Sequence, residues 1–277
     1  MGVDMIKKFG WALAAVVSIG SLGSASAADM AVKARPMPMP VPVYNWTGCY
    51  IGLSAGAKGA RAGDTVNIPA ANISPVASLD LGRGEADTWL AGGQAGCNYQ
   101  TGNLVFGVEA DGHAQRWNTS STIAGALPAL FVTGDVFDLH SDWQASARGR
   151  VGYAMDRTLF YVTGGAAFTE VRATSNWIPF GIFPGTLASQ SKPLVGATVG
   201  AGVEHAITDN FTLGIEGRYS WYGTERINAG SVAVFALPGA AVVFVNSPTY
   251  RDIKLETGEI LFKANWKFGP TAVVAKY

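Results

Sequence analysis

From position 141 to 153 the chain reads SDWQASARGRVGY, and its two parities have opposite character. Trp143, Ala145, Ala147, Gly149, Val151 and Tyr153 form one set; Asp142, Gln144, Ser146, Arg148 and Arg150 form the other. Successive side chains of a strand point to opposite faces, so the segment reads as a strand with one greasy and one ionised face. Residues 89–99, 104–114, 160–168, 195–203, 211–221 and 258–268 repeat the pattern. Residues 48–56 do so with glycine, where Cys49, Ile51, Leu53 and Ala55 alternate with Gly48, Tyr50, Gly52, Ser54 and Gly56. A sustained period of two leaves little room for helices, and the chain reads as all-β.

Connection lengths set the architecture. QTGN, AMDRT and TDN join the second to third, fourth to fifth and sixth to seventh strands, each a tight polar turn suited to a hairpin. The other connections, 58–87, 118–140, 172–193 and 223–257, are long. An even strand count with short turns at one end and long loops at the other predicts an eight-stranded antiparallel up-and-down transmembrane β-barrel, with short periplasmic turns and four long extracellular loops.

Alternation alone does not decide which face meets lipid. A water-soluble barrel would turn its apolar parity inward around a core or ligand. Here the polar parity is also the glycine-rich one, as a crowded interior requires, and bulk sits on the apolar parity. Aromatics gather at strand ends, with Trp46, Tyr99, Tyr153 and Phe268 toward the short turns and Trp89, Trp143 and Trp221 toward the long loops. Two such girdles around an apolar band fit a bilayer.

Residues 1–27 read as a cleaved export signal, with Lys7 and Lys8 ahead of a short apolar run and Ala25-Ser26-Ala27 as the cleavage site. Cleavage after Ala27 would leave residues 28–43 as a proline-rich periplasmic tether, 44–269 as the outer-membrane barrel and 270–277 as a short C-terminal tail. Twenty basic and twenty acidic residues give no net charge, so nothing points to nucleic acid.

The segments AADMAVKA, YNWTGCYIGLSAGA, AGGQAGCNYQ, VFGVEADG, RGRVGYAMDRTLFYVTGGAAF, GAGVEHAITDNFTLGIEGRY and KFGPTAVVAKY resemble the small outer-membrane β-barrel proteins of rhizobial-type Gram-negative bacteria. These are called outer-membrane immunogenic proteins and share the architecture of the OmpA barrel. The resemblance spans nearly the whole mature chain and implies a cell outer-membrane location, a structural or surface-interaction role and no catalytic residues. It implies outer-membrane lipid, lipopolysaccharide and the barrel-assembly machinery as partners. Cys49 departs from the family's usual aromatic, and GPTAVVAKY follows Phe268, leaving Phe268 and Tyr277 as alternative assembly signals.

Candidate functional residues follow from the inward parity: Glu109, Asp111, Arg148, Arg150, Glu204, Glu216, Arg218, Glu259 and Lys263. Charges in so narrow a space must be paired or hydrated, so a network that plugs the lumen is expected, with a small-solute diffusion pore as the alternative. Cys49 and Cys97 share the lipid parity near adjoining strand ends, which allows a disulfide or two free thiols. His113, His140 and His205 lack metal-ligand spacing, and His113 is expected to make a polar interior hydrogen bond. No nucleophile-elbow or phosphate-loop motif is present, so neither enzyme nor cofactor is expected. The apolar stretches 177–187 and 232–245 fit hairpin extensions packed on one another, or an adhesive surface whose extracellular partner the sequence does not name.

Overall fold

The computed structural model describes residues 44–68, 77–122, 134–178, 185–236 and 243–269. The expected signal, tether and tail lie outside the described residues. Among the described residues there are nine strands: β1 (Gly48–Ile68), β2 (Ala77–Thr101), β3 (Leu104–Thr122), β4 (Val136–Met155), β5 (Thr158–Trp177), β6 (Thr186–Ala206), β7 (Phe211–Tyr222), β8 (Glu225–Ala236) and β9 (Val243–Phe268). Each pairs antiparallel with its neighbour, and β1 closes the sheet on β9.

β7 pairs with the turn-side half of β9 and β8 with the loop-side half. Gly223 and Thr224 interrupt what is otherwise one strand. The ring therefore has eight positions, and closure leaves no edge unpaired in a membrane. The short turns fall at Gly102–Asn103, Asp156–Arg157 and residues 207–210. Gly102 (φ 59°) and Asp156 (φ 50°) adopt the left-handed backbone that tight hairpins use.

The outward face carries the expected band. Leu53 is 72% exposed and Trp89 80%, with Tyr99, Trp143, Tyr153, Trp221 and Phe268 also on the surface. Ten residues separate Trp89 from Tyr99 on β2; at roughly 3.3 Å each and a tilt near 40°, they span about 25 Å along the barrel axis, the height of a lipid-facing band. Trp46 is the exception. It is 1% exposed and packs inside the turn-side mouth with Tyr44, Val105, Ala154, Leu159, Tyr161 and Ala206. It precedes β1, so strand parity does not govern it, and the mouth offers its ring more burial than the interface does.

The four long connections are shorter than their sequence suggests, because the strands run on past the band. In β1 the outward residues change from Ile51, Leu53 and Ala55 to Arg61, Thr65 and Asn67, while the inward ones change from Ser54 and Lys58 to Ala60, Ala62, Val66 and Ile68. The polarity of the two faces inverts without a change of parity. Water now lies outside, so the apolar side chains turn in and form a dry core of Ala60, Ala62, Trp117, Leu139, Val171, Leu194, Ile227, Ile253 and Leu255, among others. Trp177 ends β5, and residues 232–236 and 243–245 lie in β8 and β9, so the described parts of the apolar stretches prolong hairpins.

Candidate functional site

The lumen inside the lipid band is filled by ionised side chains. Alternation places Glu109 and Asp111 of β3, Arg148 and Arg150 of β4, Glu204 of β6, Glu216 and Arg218 of β7, and Glu259 and Lys263 of β9 on the inner face, all buried. Lys58 of β1 joins them. Five carboxylates (Glu109, Asp111, Glu204, Glu216, Glu259) thus face five cations (Lys58, Arg148, Arg150, Arg218, Lys263).

The pairing is dense. Arg148 Nη2 lies 2.5 Å from Glu109 Oε1 and 2.8 Å from Asp111 Oδ2, and its Nη1 donates to Glu216. Lys263 Nζ bridges Glu109 at 2.7 Å and Glu216 at 3.0 Å. Arg218 Nη1 reaches Asp111 Oδ1 at 3.0 Å. Lys58 Nζ sits 3.4 Å from Glu259 Oε1 and donates to Gln115 at 2.8 Å. Arg150 pairs with Glu204 at 2.9 Å and stacks 3.7 Å above the centre of the Tyr161 ring. A buried charge without such partners would cost several kcal/mol, so the arrangement is stable only as a set.

Two tyrosines thread through the network. Tyr50 donates to Glu109 Oε2 at 2.5 Å, and Tyr161 donates to Glu216 Oε2 at 2.9 Å. Each ring lies against a glycine. A Cβ on Gly96 would stand 2.5 Å from Tyr50 Oη, and one on Gly202 would stand 2.6 Å from Tyr161 Oη. These glycines leave the room that the rings fill.

Sequence reasoning missed Lys58, Tyr50 and Tyr161 as members of the network. Lys58 has the inward parity but falls at the start of a stretch that reads as a long connection, and the tyrosines carry no charge. It also missed the pair higher in the barrel, where fully buried Arg251 contacts Asp64 and donates to the Thr174 carbonyl at 3.1 Å. Asp64 and Arg251 lie on the extended parts of β1 and β9.

Ser54, His113 and Asp111 come together in an order that resembles a hydrolytic triad. Ser54 Oγ is 2.8 Å from His113 Nε2, and His113 Nδ1 is 3.1 Å from Asp111 Oδ1. Three features of its surroundings bear on its chemistry. The Nδ1 contact lacks hydrogen-bond alignment. Asp111 is held by Arg148, Arg218 and Ser146. All three residues are buried within the lumen. His140 lies 2.8 Å from Asp142 on the outside, and His205 Nδ1 lies 2.9 Å from Thr158 Oγ1.

Cys49 and Cys97 are direct register partners across β1 and β2, and their sulfurs are bonded. The bridge lies on the outward face, at the turn-side end of two strands that no turn connects there.

A barrel with an apolar exterior band and a charge-packed lumen has matches among known proteins. The outer membrane protein beta-barrel domain matches residues 13–268 of the chain. The chain belongs to that family. Among relatives of the outer membrane protein beta-barrel family, the 31 kDa outer-membrane immunogenic protein of Brucella melitensis is 34% identical over 211 residues, covering 74% of this chain and 83% of the relative. The 25 kDa outer-membrane immunogenic protein of Brucella abortus is 30% identical over 214 residues, covering 76% and 83% respectively. Of solved structures, the outer membrane protein OprG from Pseudomonas aeruginosa aligns with a TM-score of 0.46 at 12% identity, over 82% of this chain and 99% of that one. The family places the chain in the outer membrane, with the apolar band against lipid.

Proposed function

We propose that the protein is a non-enzymatic outer-membrane barrel whose lumen is sealed, serving the envelope structurally while presenting its prolonged strand ends to the exterior. The observation that carries this reading is the set of five buried carboxylates paired with five buried cations inside the lumen. An eight-position ring has an interior just filled by side chains, and here paired charges supply much of that filling. The strands run on beyond the lipid-facing band toward the exterior. Such display agrees with the name immunogenic carried by the two Brucella relatives.

Lipid and lipopolysaccharide around the band, and the barrel-assembly machinery during biogenesis, are the partners this reading requires. Phe268, which ends β9 on the outward face, suits recognition of the last strand. The competing reading is a small-solute pore. Planar-bilayer recording of the folded protein at neutral pH separates them: the sealed barrel gives a flat baseline, and steady open conductance rejects it.

A further inference from the structure

The segment ahead of β1 is not a strand, yet it is among the most deeply buried parts of the molecule. Trp46 is 1% exposed and Tyr44 5%, their rings meeting edge to face at 4.9 Å. They pack on Val105, Ala154, Leu159, Tyr161 and Ala206, side chains drawn from β3, β4, β5 and β6 at the turn-side end. Opposite these, Lys267 Nζ lies 4.4 Å from the centre of the Tyr44 ring and donates to the Asn45 carbonyl. Arg157, from the β4–β5 turn, stands 5.3 Å from the same ring centre. Gln100, at the end of β2, accepts from the Trp46 amide at 2.7 Å and donates its own amide to Thr47 Oγ1 at 3.0 Å. The segment is thus gripped from nearly every side of the ring.

We propose that residues 44–47 form a stopper seated in the periplasmic mouth, closing the lower lumen independently of the charge network. The inference rests on the sealed-barrel reading and adds a second, separately removable seal to it. Two large aromatic rings pack in a mouth whose apolar inward positions at this level, Val105, Ala154, Leu159 and Ala206, are small beside them. Covalent attachment to β1 keeps the entropy of seating small, since only a short stretch must be ordered. The stopper stands below Arg150 and Glu204, the network members beside Tyr161 and Thr212. Its apolar rings keep bulk ions from the pair that would otherwise face periplasmic water.

The test reads water access to the mouth. The two native cysteines are bridged, so an Ala206→Cys variant carries one reactive thiol, and Ala154→Cys serves if the first fails to fold. A charged methanethiosulfonate reagent is applied to protein folded in detergent, with a heat-modifiability gel confirming the fold in each background. With Tyr44 and Trp46 present the thiol should react slowly; in the Y44A/W46A background it should react at least tenfold faster. Fast reaction in both backgrounds shows that the segment does not seat, and slow reaction in both shows that the mouth is closed without it; either result overturns the proposal. Conductance of the Y44A/W46A protein, which lacks the stopper, reports on the charge network alone. A conducting Y44A/W46A protein beside a silent parent would reject the seal by charge while leaving the thiol comparison to judge the stopper, and a conducting parent would reject both.

Discussion

Glu109 and Arg148 stand directly opposite each other on β3 and β4, and their charged ends meet at 2.5 Å inside the lumen. The same guanidinium also serves Asp111 and Glu216. Arg148→Met would leave three carboxylates to share Lys263, Arg218 and Arg150. Removing one member of a buried charge set costs about 3–5 kcal/mol, so the variant should unfold at a clearly lower urea concentration in detergent micelles. An unchanged midpoint would show that the network does not hold the barrel.

The polarity inversion along β1 gives a second expectation. Leu53 faces lipid within the band, whereas Thr65 has the same parity above it. Leu53→Arg should destabilise the protein by about 2–4 kcal/mol near the midplane, and Thr65→Arg by roughly 0–1 kcal/mol. Reversible unfolding from phospholipid bilayers measures both. Equal penalties would place the bilayer boundary elsewhere.

The Cys49–Cys97 bridge closes a loop of sequence separation 48. In the chain-entropy account such a loop contributes about 4 kcal/mol through the unfolded state. β1 and β2 are rich in glycine, and such strands specify register weakly; the bridge fixes it. The C49S/C97S variant should lose its folded gel band at a lower temperature than the parent, and reductant should no longer matter. Two titratable thiols in the unreduced, denatured parent would refute the bridge.

Gly96 lies where the Tyr50 ring crosses the wall, with Tyr50 Oη 2.5 Å and Val108 O 2.6 Å from any Cβ built there. Gly96→Val should displace Tyr50 from Glu109 and lose most of the heat-modifiable fold. Gly112→Ala, with nothing within 4 Å of the added carbon, should fold like the parent. A folded Gly96→Val protein with native stability would show that the ring is free to move.

Ser54 touches His113 as a nucleophile touches its base, and both are buried in the lumen; in the non-enzymatic barrel proposed above no substrate reaches them. A fluorophosphonate probe should leave the folded protein unlabelled over hours. Labelling abolished by Ser54→Ala would overturn the non-enzymatic reading.

The membrane section was legible in the sequence because a period of two is imposed locally. Each residue's face follows from its neighbour's, and a bilayer demands one hydropathy on one face over about ten residues. That logic placed Glu109, Arg148, Glu216 and Lys263 in the lumen before any pairing was known. It could not place Trp46, which lies outside any strand. It also stops short of Lys58, because beyond Ala57 the lipid parity turns to Gly59 and Arg61 and the apolar signal of a membrane strand fades.

The sequence by itself determined the number of ring positions, the three short turns and which parity faces lipid, since these depend on residues close together in the chain. Only the tertiary structure decided that Arg148 serves three carboxylates at once, that Asp64 meets Arg251 and that Tyr44 and Trp46 fill the mouth. These contacts join residues from separate strands, and their geometry exists only once the sheet has closed and its register is fixed. Closure likewise turned the inverted upper faces into a dry core, because an apolar inner face gains nothing until the opposite wall arrives to cover it.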